Sequence, residues 1–471
     1  MNEEVKMIAN VLADRYASQA MQRIWSREEK IRRERRLWVE VMKAQSRLGV
    51  QITQDDIARY EESIEKIDLA SIDKREGALK HDVKARIEEF NSLAGLQLIH
   101  LGLTSRDVTE NVELVQIRDG LALVHAEVVG VLTLFAKRIE LHKDLVTVGR
   151  SHNVPAQLTT LGQRFATIAE ELLFALERLE SLIERLPLRG LRGPVGTSQD
   201  LENLVRGESA KVESEIAKSL GFDRFLDSTG QIYPRSIDFE VLSTLVQLSA
   251  APSNLAILVR LMSGAGLLSE GFKEGQVGSS AMPHKINARS SERVNGLAVV
   301  LKGYLSMMSE VSGNQWNEGD VSCSVVRRVA LPDAFFAMDA IFQTTATILN
   351  EIEVFEQVIA QEVEANLPFV ATTKLLMAAV TAGMGREDAH QKIQRASLEA
   401  LKKHREGKQF DLLSALAADE EFPLMAPDIE NVFVEVKKDC IATNQMTSVQ
   451  KRILSVTSLS RETKAAFEEI I

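Results

Sequence analysis

An all-α fold with a central bundle of long helices is what this sequence predicts, from three observations. Apolar residues recur at helix spacing through four long segments in the middle of the chain. No segment alternates apolar and polar residues convincingly enough to read as a strand. The length of 471 residues exceeds what one ordinary core serves and predicts two or three domains.

Taken in order, Arg27 to Arg47 mixes acids and bases at helical spacing, with Trp38, Val41 and Leu48 on an apolar side; it reads as a helix with a solvated face rather than a basic binding patch. Residues 109–141 form a long apolar-striped helix. Residues 155–186 carry Leu158, Leu161, Phe165, Ile168, Leu172 and Leu176 on one stripe, and Pro187 stops the run. Val241 to Leu268 holds one formal charge, Arg260, and Ser243, Pro252 and Asn254 interrupt it. It reads as a helix buried nearly all round rather than a membrane span, and burial on every side suggests neighbouring subunits. Residues 291–312 and 329–350 complete the bundle. Shorter helices follow, with breaks at Leu367-Pro368, Gly383 to Gly385 and Pro423 to Pro427. The resulting division is a helical domain over 1–106, the long-helix bundle over 107–354 and a C-terminal helical domain over 355–471.

Composition narrows the function classes. With 45% hydrophobic and 26% charged residues the chain suits a globular protein, and its net charge of -11 argues against general nucleic-acid binding. Cys323 and Cys440 cannot make a disulfide framework and fit a reducing compartment, so a cytoplasmic location is expected. The polar opening Met-Asn-Glu-Glu-Val-Lys lacks the apolar run of a secretory signal. No cysteine–histidine group has zinc spacing and no acidic loop has calcium spacing, so no metal is expected.

The richest stretch chemically is Gly278 to Asn287, Gly-Ser-Ser-Ala-Met-Pro-His-Lys-Ile-Asn, preceded by a segment broken at Gly271 and Gly275. A glycine-hinged loop there delivers two hydroxyls, the Lys285 ammonium and the Asn287 amide to the start of a helix. Handling a carboxylate needs that set: a cation, N–H donors and a small group able to take a proton. His152 lies in Gly-Arg-Ser-His-Asn-Val-Pro-Ala-Gln. Pro155 suits the first turn of the helix that follows, so the imidazole is expected at a helix entrance, where it can shuttle protons near an anion. In Leu-Gly-Leu-Thr-Ser-Arg-Asp, Thr104 and Ser105 offer hydroxyls before a long helix that Asp107 can cap.

These motifs resemble the fumarase/aspartase superfamily of lyases. Gly278–Asn287 matches its signature Gly-Ser-Ser-x-Met-Pro-x-Lys-x-Asn throughout, Thr104-Ser105-Arg106-Asp107 its Thr-Ser-x-Asp region, and Ser151-His152 its Thr/Ser-His region. Further stretches are similar to the branch of that superfamily that cleaves adenylosuccinate: Arg15-Tyr16, which would hold the nucleotide phosphate; Lys80-His81-Asp82; Gln231 within Thr229 to Arg235; Arg293; and Ser324 to Arg328. The likeness runs from about residue 12 to 395 and is loose beyond.

The resemblance implies a three-domain fold whose central bundle is shared in a homotetramer, with each active site drawn from three subunits. It implies elimination of fumarate from adenylosuccinate, giving AMP, and from the succinyl-carboxamide ribotide of purine biosynthesis. Ser279 would be the catalytic base and His152 the catalytic acid. Substrate contacts would come from Arg15, Tyr16, Lys80, His81, Asp82, Thr104, Ser105, Gln231, Lys285, Asn287, Arg293, Ser324 and Arg328. No metal or organic cofactor, nucleic acid or membrane is implied; the partners are small nucleotides and further copies of the chain. Two positions depart from the family pattern. Gly319 stands where many members have arginine, an anion contact that is then lost or supplied by Arg327 or another group, and Lys80 replaces an arginine, keeping charge but losing the planar fork. The competing readings are another fumarate-releasing lyase of the superfamily, such as argininosuccinate lyase, fumarase or the muconate cycloisomerase relative, and a non-catalytic helical scaffold.

Overall fold

The computed structural model describes residues 10–271, 282, 284–408, 411–440 and 443–459. Six helices open the described chain: α1 (Val11–Arg15), α2 (Gln19–Trp25), α3 (Arg27–Arg47), α4 (Gln54–Glu61), α5 (Leu69–Leu79) and α6 (Asp82–Ala94). Then come the 37-residue α7 (Ser105–Leu141), a hairpin of β1 (Val146–Ser151) and β2 (Val154–Thr160), and α8 (Leu161–Arg185). Shorter α9 (Gln199–Leu204), α10 (Ser209–Ser219), α11 (Ser236–Leu248) and α12 (Ala250–Gly264) lead to β3 (Leu268–Ser269) and two long helices, α13 (Arg289–Val311) and α14 (Ser322–Glu351). After β4 (Glu353–Val354), which pairs antiparallel with β3, the chain ends in α15 (Glu356–Val370), α16 (Thr372–Thr381), α17 (Arg386–Arg405), α18 (Leu412–Ala417), α19 (Ala426–Asp439) and α20 (Thr443–Leu459).

The main apolar cluster joins α7, α8, α11, α12, α13 and α14, with Phe135, Phe165, Phe335 and Phe342 fully buried among leucines and valines. Each such side chain contributes about 1.5–3 kcal/mol by leaving water. Leu12 and Met21 of α1 and α2 join this cluster, and so do Met446, Val449 and Ile453 of the returning α20. A second cluster packs Trp38, Tyr60 and Phe90 against Val108 and Val112 of α7 and Val212 and Ile216 of α10. A third fills the C-terminal helices and reaches Val148 and Leu158 of the hairpin.

The helices fall where the apolar stripes predict, with three differences. The stretch 154–160 is a strand, not the first turns of α8, because β-branched Val146, Thr147, Val148 and Val154 pair across a tight turn. Pro155 sits opposite Arg150 beside a register shift, where the missing N–H breaks no regular ladder. α8 begins only at Leu161, capped by the Thr160 hydroxyl, which accepts from the Gln163 N–H at 3.1 Å. The apolar stretch 241–268 is likewise two helices meeting at Ser249, and Ile257 and Leu261 of α12 are 46% and 58% exposed, so the single chain does not bury it all round. By length and composition, 105–141 and 236–264 could each cross a membrane; here they form the bundle core, with 67% and 56% of their apolar windows buried. In α3 the charged run is not wholly solvated. Glu34 and Arg35 point inward, Glu34 onto Arg86 at 2.6 Å and Arg35 onto Glu89 and the Ser63 carbonyl at 2.7 Å.

The bundle also buries two acids. Glu127 of α7 and Asp339 of α14 are both fully buried. Burial pushes the Glu127 carboxyl well above the ordinary range, and the neighbouring Asp339 pushes it further. Burial raises Asp339 too, against donors from the Ser18 N–H at 2.6 Å and Gln343 at 2.7 Å. The folded protein therefore keeps a proton that the unfolded chain releases. That stabilisation is full below the ordinary carboxylate pKa, about 4, and disappears as pH rises through the raised folded value, each unit of difference being about 1.4 kcal/mol. Thermal unfolding between acidic and mildly alkaline pH should accordingly show a flatter decline for Glu127→Gln than for the wild type. Parallel curves would exclude a shared proton at this pair.

Candidate active site

The first two turns of α7 form a buried polar hub. Thr104 occupies the N-cap, and its N–H donates to the Asp107 carboxylate at 2.7 Å. The same carboxylate accepts from Arg189 at 2.6 Å and the Gly193 N–H at 3.0 Å, so Asp107 does more than cap the helix. One turn on, Asn111 accepts from the Arg189 N–H at 2.9 Å and donates to the Gly190 carbonyl at 3.0 Å. Glu110 takes Arg106 at 3.1 Å and Arg235 at 2.8 Å, and Arg106 continues to the Ser324 hydroxyl at 3.3 Å. Thr104, Ser105 and Ser324 are thus held at one end of the α7–α14 pair.

Lys80, His81 and Asp82 form the α5–α6 turn at the same end. Lys80 ends α5 with φ +56, which turns the chain; the His81 Nδ1 then accepts from the Lys84 N–H at 3.3 Å and caps α6. Asp82 lies 3.5 Å from Arg328, which is one turn beyond Ser324, and 3.4 Å from Arg86. Burial alone would raise the Asp82 carboxyl. Arg86, the Val83 N–H, Arg328 and His81 outweigh it and hold the group below its usual value, as a carboxylate. Lys80, Asp82 and Arg328 open onto a cavity of about 900 Å³, whose wall carries five cationic side chains (Arg27, Lys30, Lys80, Arg86, Arg328) against three acidic ones.

Gln231 joins this end through its N–H, which donates to the Glu318 carbonyl at 2.6 Å just before α14. Arg327 cannot stand in for the arginine missing at 319. It is buried, it bonds Asp238 at 2.7 Å and Glu113 at 2.6 Å, and it donates to the Tyr233 hydroxyl. The exposed cation on that turn of α14 is Arg328.

A second group lies near the start of α13. The Arg15 and Arg293 guanidinium carbons stand 5.8 and 5.6 Å from the centre of the Tyr16 ring, so two cations flank one phenol. A few residues earlier Lys285 is exposed, its N–H bonded to the Met282 carbonyl at 3.0 Å, and the Asn287 carbonyl accepts from the Arg289 N–H at 2.9 Å. Ser279 lies outside the described residues. The Glu270 carboxylate accepts from the Ser290 and Ser291 N–H groups at 2.9 and 2.5 Å, which satisfies orphan donors of α13.

His152 stands apart, at the tip of the β1–β2 hairpin rather than at a helix entrance. His152 and Asn153 have φ of +50 and +61, the two-residue turn whose twist matches paired strands. This aims an exposed imidazole outward, beside a cavity of about 840 Å³ walled by Arg150, Asn153, Arg164, Leu261, Met262 and Glu362. Arg150, beside the tip, pairs with Glu362, and Arg164 donates to the Val148 carbonyl in mid-strand at 2.6 Å, so β1 is fastened up to the turn.

The single chain therefore does not gather all the predicted residues. α7 spans about 55 Å at 1.5 Å per residue, with Thr104 and Ser105 at its start and the His152 hairpin leaving its far end. α13, about 35 Å long, likewise separates Lys285 and Arg293 from the turn that leads to Ser324. Sequence reasoning passed over Arg106, Arg189 and Glu270, the groups that orient these segments. Arg106 carried a signal, its i,i+4 spacing to Glu110; Arg189 and Glu270 lie in loops without periodicity. Among the described residues no three His, Cys, Asp or Glu side chains are grouped to hold a metal ion.

A family model described as "Lyase" matches residues 4–303, and one described as "Adenylosuccinate lyase C-terminus" matches residues 368–438. The chain is 33% identical to the adenylosuccinate lyase of Saccharomyces cerevisiae over 89% of each protein, 33% identical to that of Schistosoma mansoni over 84% of each, and 29% identical to that of Pyrococcus abyssi over 86% of this chain and 89% of the relative. Among solved structures, the 3-carboxy-cis,cis-muconate lactonizing enzyme of Pseudomonas putida superposes with a TM-score of 0.83 at 18% identity, covering 95% of this chain and all of the other. A fumarate lyase from Mesorhizobium sp. BNC1 superposes at 0.78 and 19% identity, covering 96% and 99%. At such identities these two likenesses speak for the fold alone.

Proposed function

The chain belongs to the adenylosuccinate lyase family of C–N lyases, and from that premise we propose that it eliminates fumarate from adenylosuccinate, leaving AMP, and from succinyl-aminoimidazole-carboxamide ribotide. The observation that carries the reading is the cation-rich cavity of about 900 Å³ onto which Lys80, Asp82 and Arg328 open, linked through α14 to Ser324 and Gln231. Lys80 and the largely exposed Arg328 on its wall suit the anionic groups of a phosphorylated, succinylated nucleotide. Arg15 and Arg293, flanking Tyr16, supply a second anion-binding pair.

In the proposed reaction Ser279, as alkoxide, takes the proton from the succinyl carbon beside a carboxylate. The freed electron pair forms the double bond of fumarate as the C–N bond breaks, and His152 gives a proton to the departing nitrogen. A serine is a poor base in water, so the alkoxide requires a desolvated cationic setting; Lys285 and loop N–H groups supply it and also stabilise the doubly charged carboxylate intermediate. Asn287 orients that carboxylate. Thr104, Ser105, His81 and Gln231 hold the rest of the substrate.

The separation of these groups along α7 and α13 supports a homotetramer in which three subunits complete each site around a shared bundle. The exposed apolar residues Val321 at the N-cap of α14, Val325 and Val329 within it and Leu261 of α12 suit such burial. The three domains, 1–106, 107–354 and 355–471, and a cytoplasmic location belong to the same reading.

The direct test follows absorbance as purified protein meets adenylosuccinate, argininosuccinate and malate separately. AMP and fumarate from adenylosuccinate alone are expected; turnover of either other compound in its place would move the chain elsewhere in the superfamily. Composite sites predict a further result. Mixed and reassembled, inactive Ser279→Ala and His152→Gln proteins should regain activity, since about a quarter of sites in a random equal mixture draw both intact residues. No recovery, with mixed assemblies demonstrated, would place both residues on one subunit.

A further inference from the structure

Gln231 is held by glycines. The segment Thr229–Gln231 crosses two other stretches of backbone at close range. On one side, a Cβ at Gly196 would stand 2.2 Å from the Thr229 carbonyl oxygen. On the other, a Cβ at Gly230 would stand 2.1 Å from the Glu318 carbonyl oxygen, and one at Gly319 would stand 2.9 Å from the Gln231 Cβ and 3.4 Å from its amide oxygen. The Gln231 N–H closes the crossing with its 2.6 Å bond to the Glu318 carbonyl, and the buried Arg189 holds the Gly230 carbonyl at 2.9 Å. What Gly319 provides is space: the atom that a new methyl would strike is a Cβ, which no rotamer change can swing aside.

The turn 317–319 runs into α14 and its Ser324 and Arg328. We infer that Gly319 is a positioning residue, whose missing side chain lets the turn before α14 seat the Gln231 amide at a set place relative to Ser324 and Arg328, and so tunes selection of the substrate. The inference rests on the reading of Gln231 as a substrate contact. An arginine or any other side chain at 319 displaces that amide instead of adding a contact.

The experiment is a double-mutant cycle on adenylosuccinate cleavage by the full-length protein, with wild type, Gly319→Ala, Gln231→Ala and the double variant. A misplacement of up to 1 Å predicts a kcat/KM about 10–100-fold lower for Gly319→Ala, carried more by KM than by kcat. Because Gly319 acts through Gln231, adding Gly319→Ala to Gln231→Ala should cost nothing further. Losses that multiply, or a Gly319→Ala protein with wild-type KM, overturn the inference. Should Gly319→Ala lower the melting temperature, Gln231→Gly in the same chain is expected to restore it by removing the Cβ that is struck; failure to restore it also overturns the seat. A wild-type protein that releases no fumarate from adenylosuccinate sinks the parent reading, whereas an active wild type with a non-coupled cycle sinks this inference alone.

Discussion

Replacing Ser279 with alanine is expected to slow fumarate release by about 10²–10⁴-fold, and replacing His152 with glutamine to slow it comparably while adenylosuccinate still binds. The two residues have opposite tasks. The proposed base must lose its proton before it can act, which demands a cation close by and little water; the proposed acid must carry a proton to a nitrogen already weakened toward leaving. In the sequence Lys285 lies six positions past Ser279, and the first N–H groups of the following α13 are taken by Glu270. His152 rides a short hairpin fastened near its tip by the Arg150–Glu362 pair and in mid-strand by Arg164. Steady-state rates with isothermal titration of the inactive variants separate turnover from binding. A Ser279→Ala enzyme within about threefold of wild type would remove the serine from the role of base, since a positioned base contributes far more. A His152→Gln protein that no longer binds would make the imidazole a binding group.

The second large effect concerns stability. Arg189 and Asp107 are both wholly buried, 2.6 Å apart, and each also serves the backbone: Asp107 takes the Thr104 and Gly193 N–H groups, and Arg189 reaches the Gly193 and Gly230 carbonyls at 3.0 and 2.9 Å. Arg189→Met leaves a charged carboxylate in the interior and three chain segments untied. Removing one partner of such a pair costs about 3–5 kcal/mol. A clearly lower thermal or denaturant midpoint is the expected result, with activity falling as Thr104, Ser105 and Gln231 lose their common anchor. Asp107→Asn in the same chain should return part of the loss, because the stranded charge is then gone. An Arg189→Met protein within about 1 kcal/mol of wild type would mean that the pair is dispensable and that the hub is held by Asn111 and Glu110 instead.

The amino-acid order alone determined the helices and the chemistry on offer. Long apolar stripes in 109–141, 155–186, 291–312 and 329–350 can bury themselves only against one another, so both the fold class and the bundle are readable from periodicity. The signature Gly278–Asn287 and the Arg15-Tyr16, Lys80-His81-Asp82 and Ser324–Arg328 stretches are local strings, legible without knowing where they lie. Tertiary structure decided what those strings touch. The helical stripe beginning at Leu158 was read back through Pro155, and only pairing with Val146–Ser151 made that stretch a strand and moved His152 to a hairpin tip. Arg327 and Arg328 are adjacent and alike in sequence, yet the twist of α14 turns one into a buried network with Asp238, Glu113 and Tyr233 and leaves the other facing Asp82. Gly319 is a single missing side chain in the sequence; its meaning depends on Gln231 lying 2.9 Å from where a Cβ would be. Periodicity and motif are properties of neighbours along the chain, whereas burial, pairing and close approach depend on residues hundreds of positions apart, which only packing brings together.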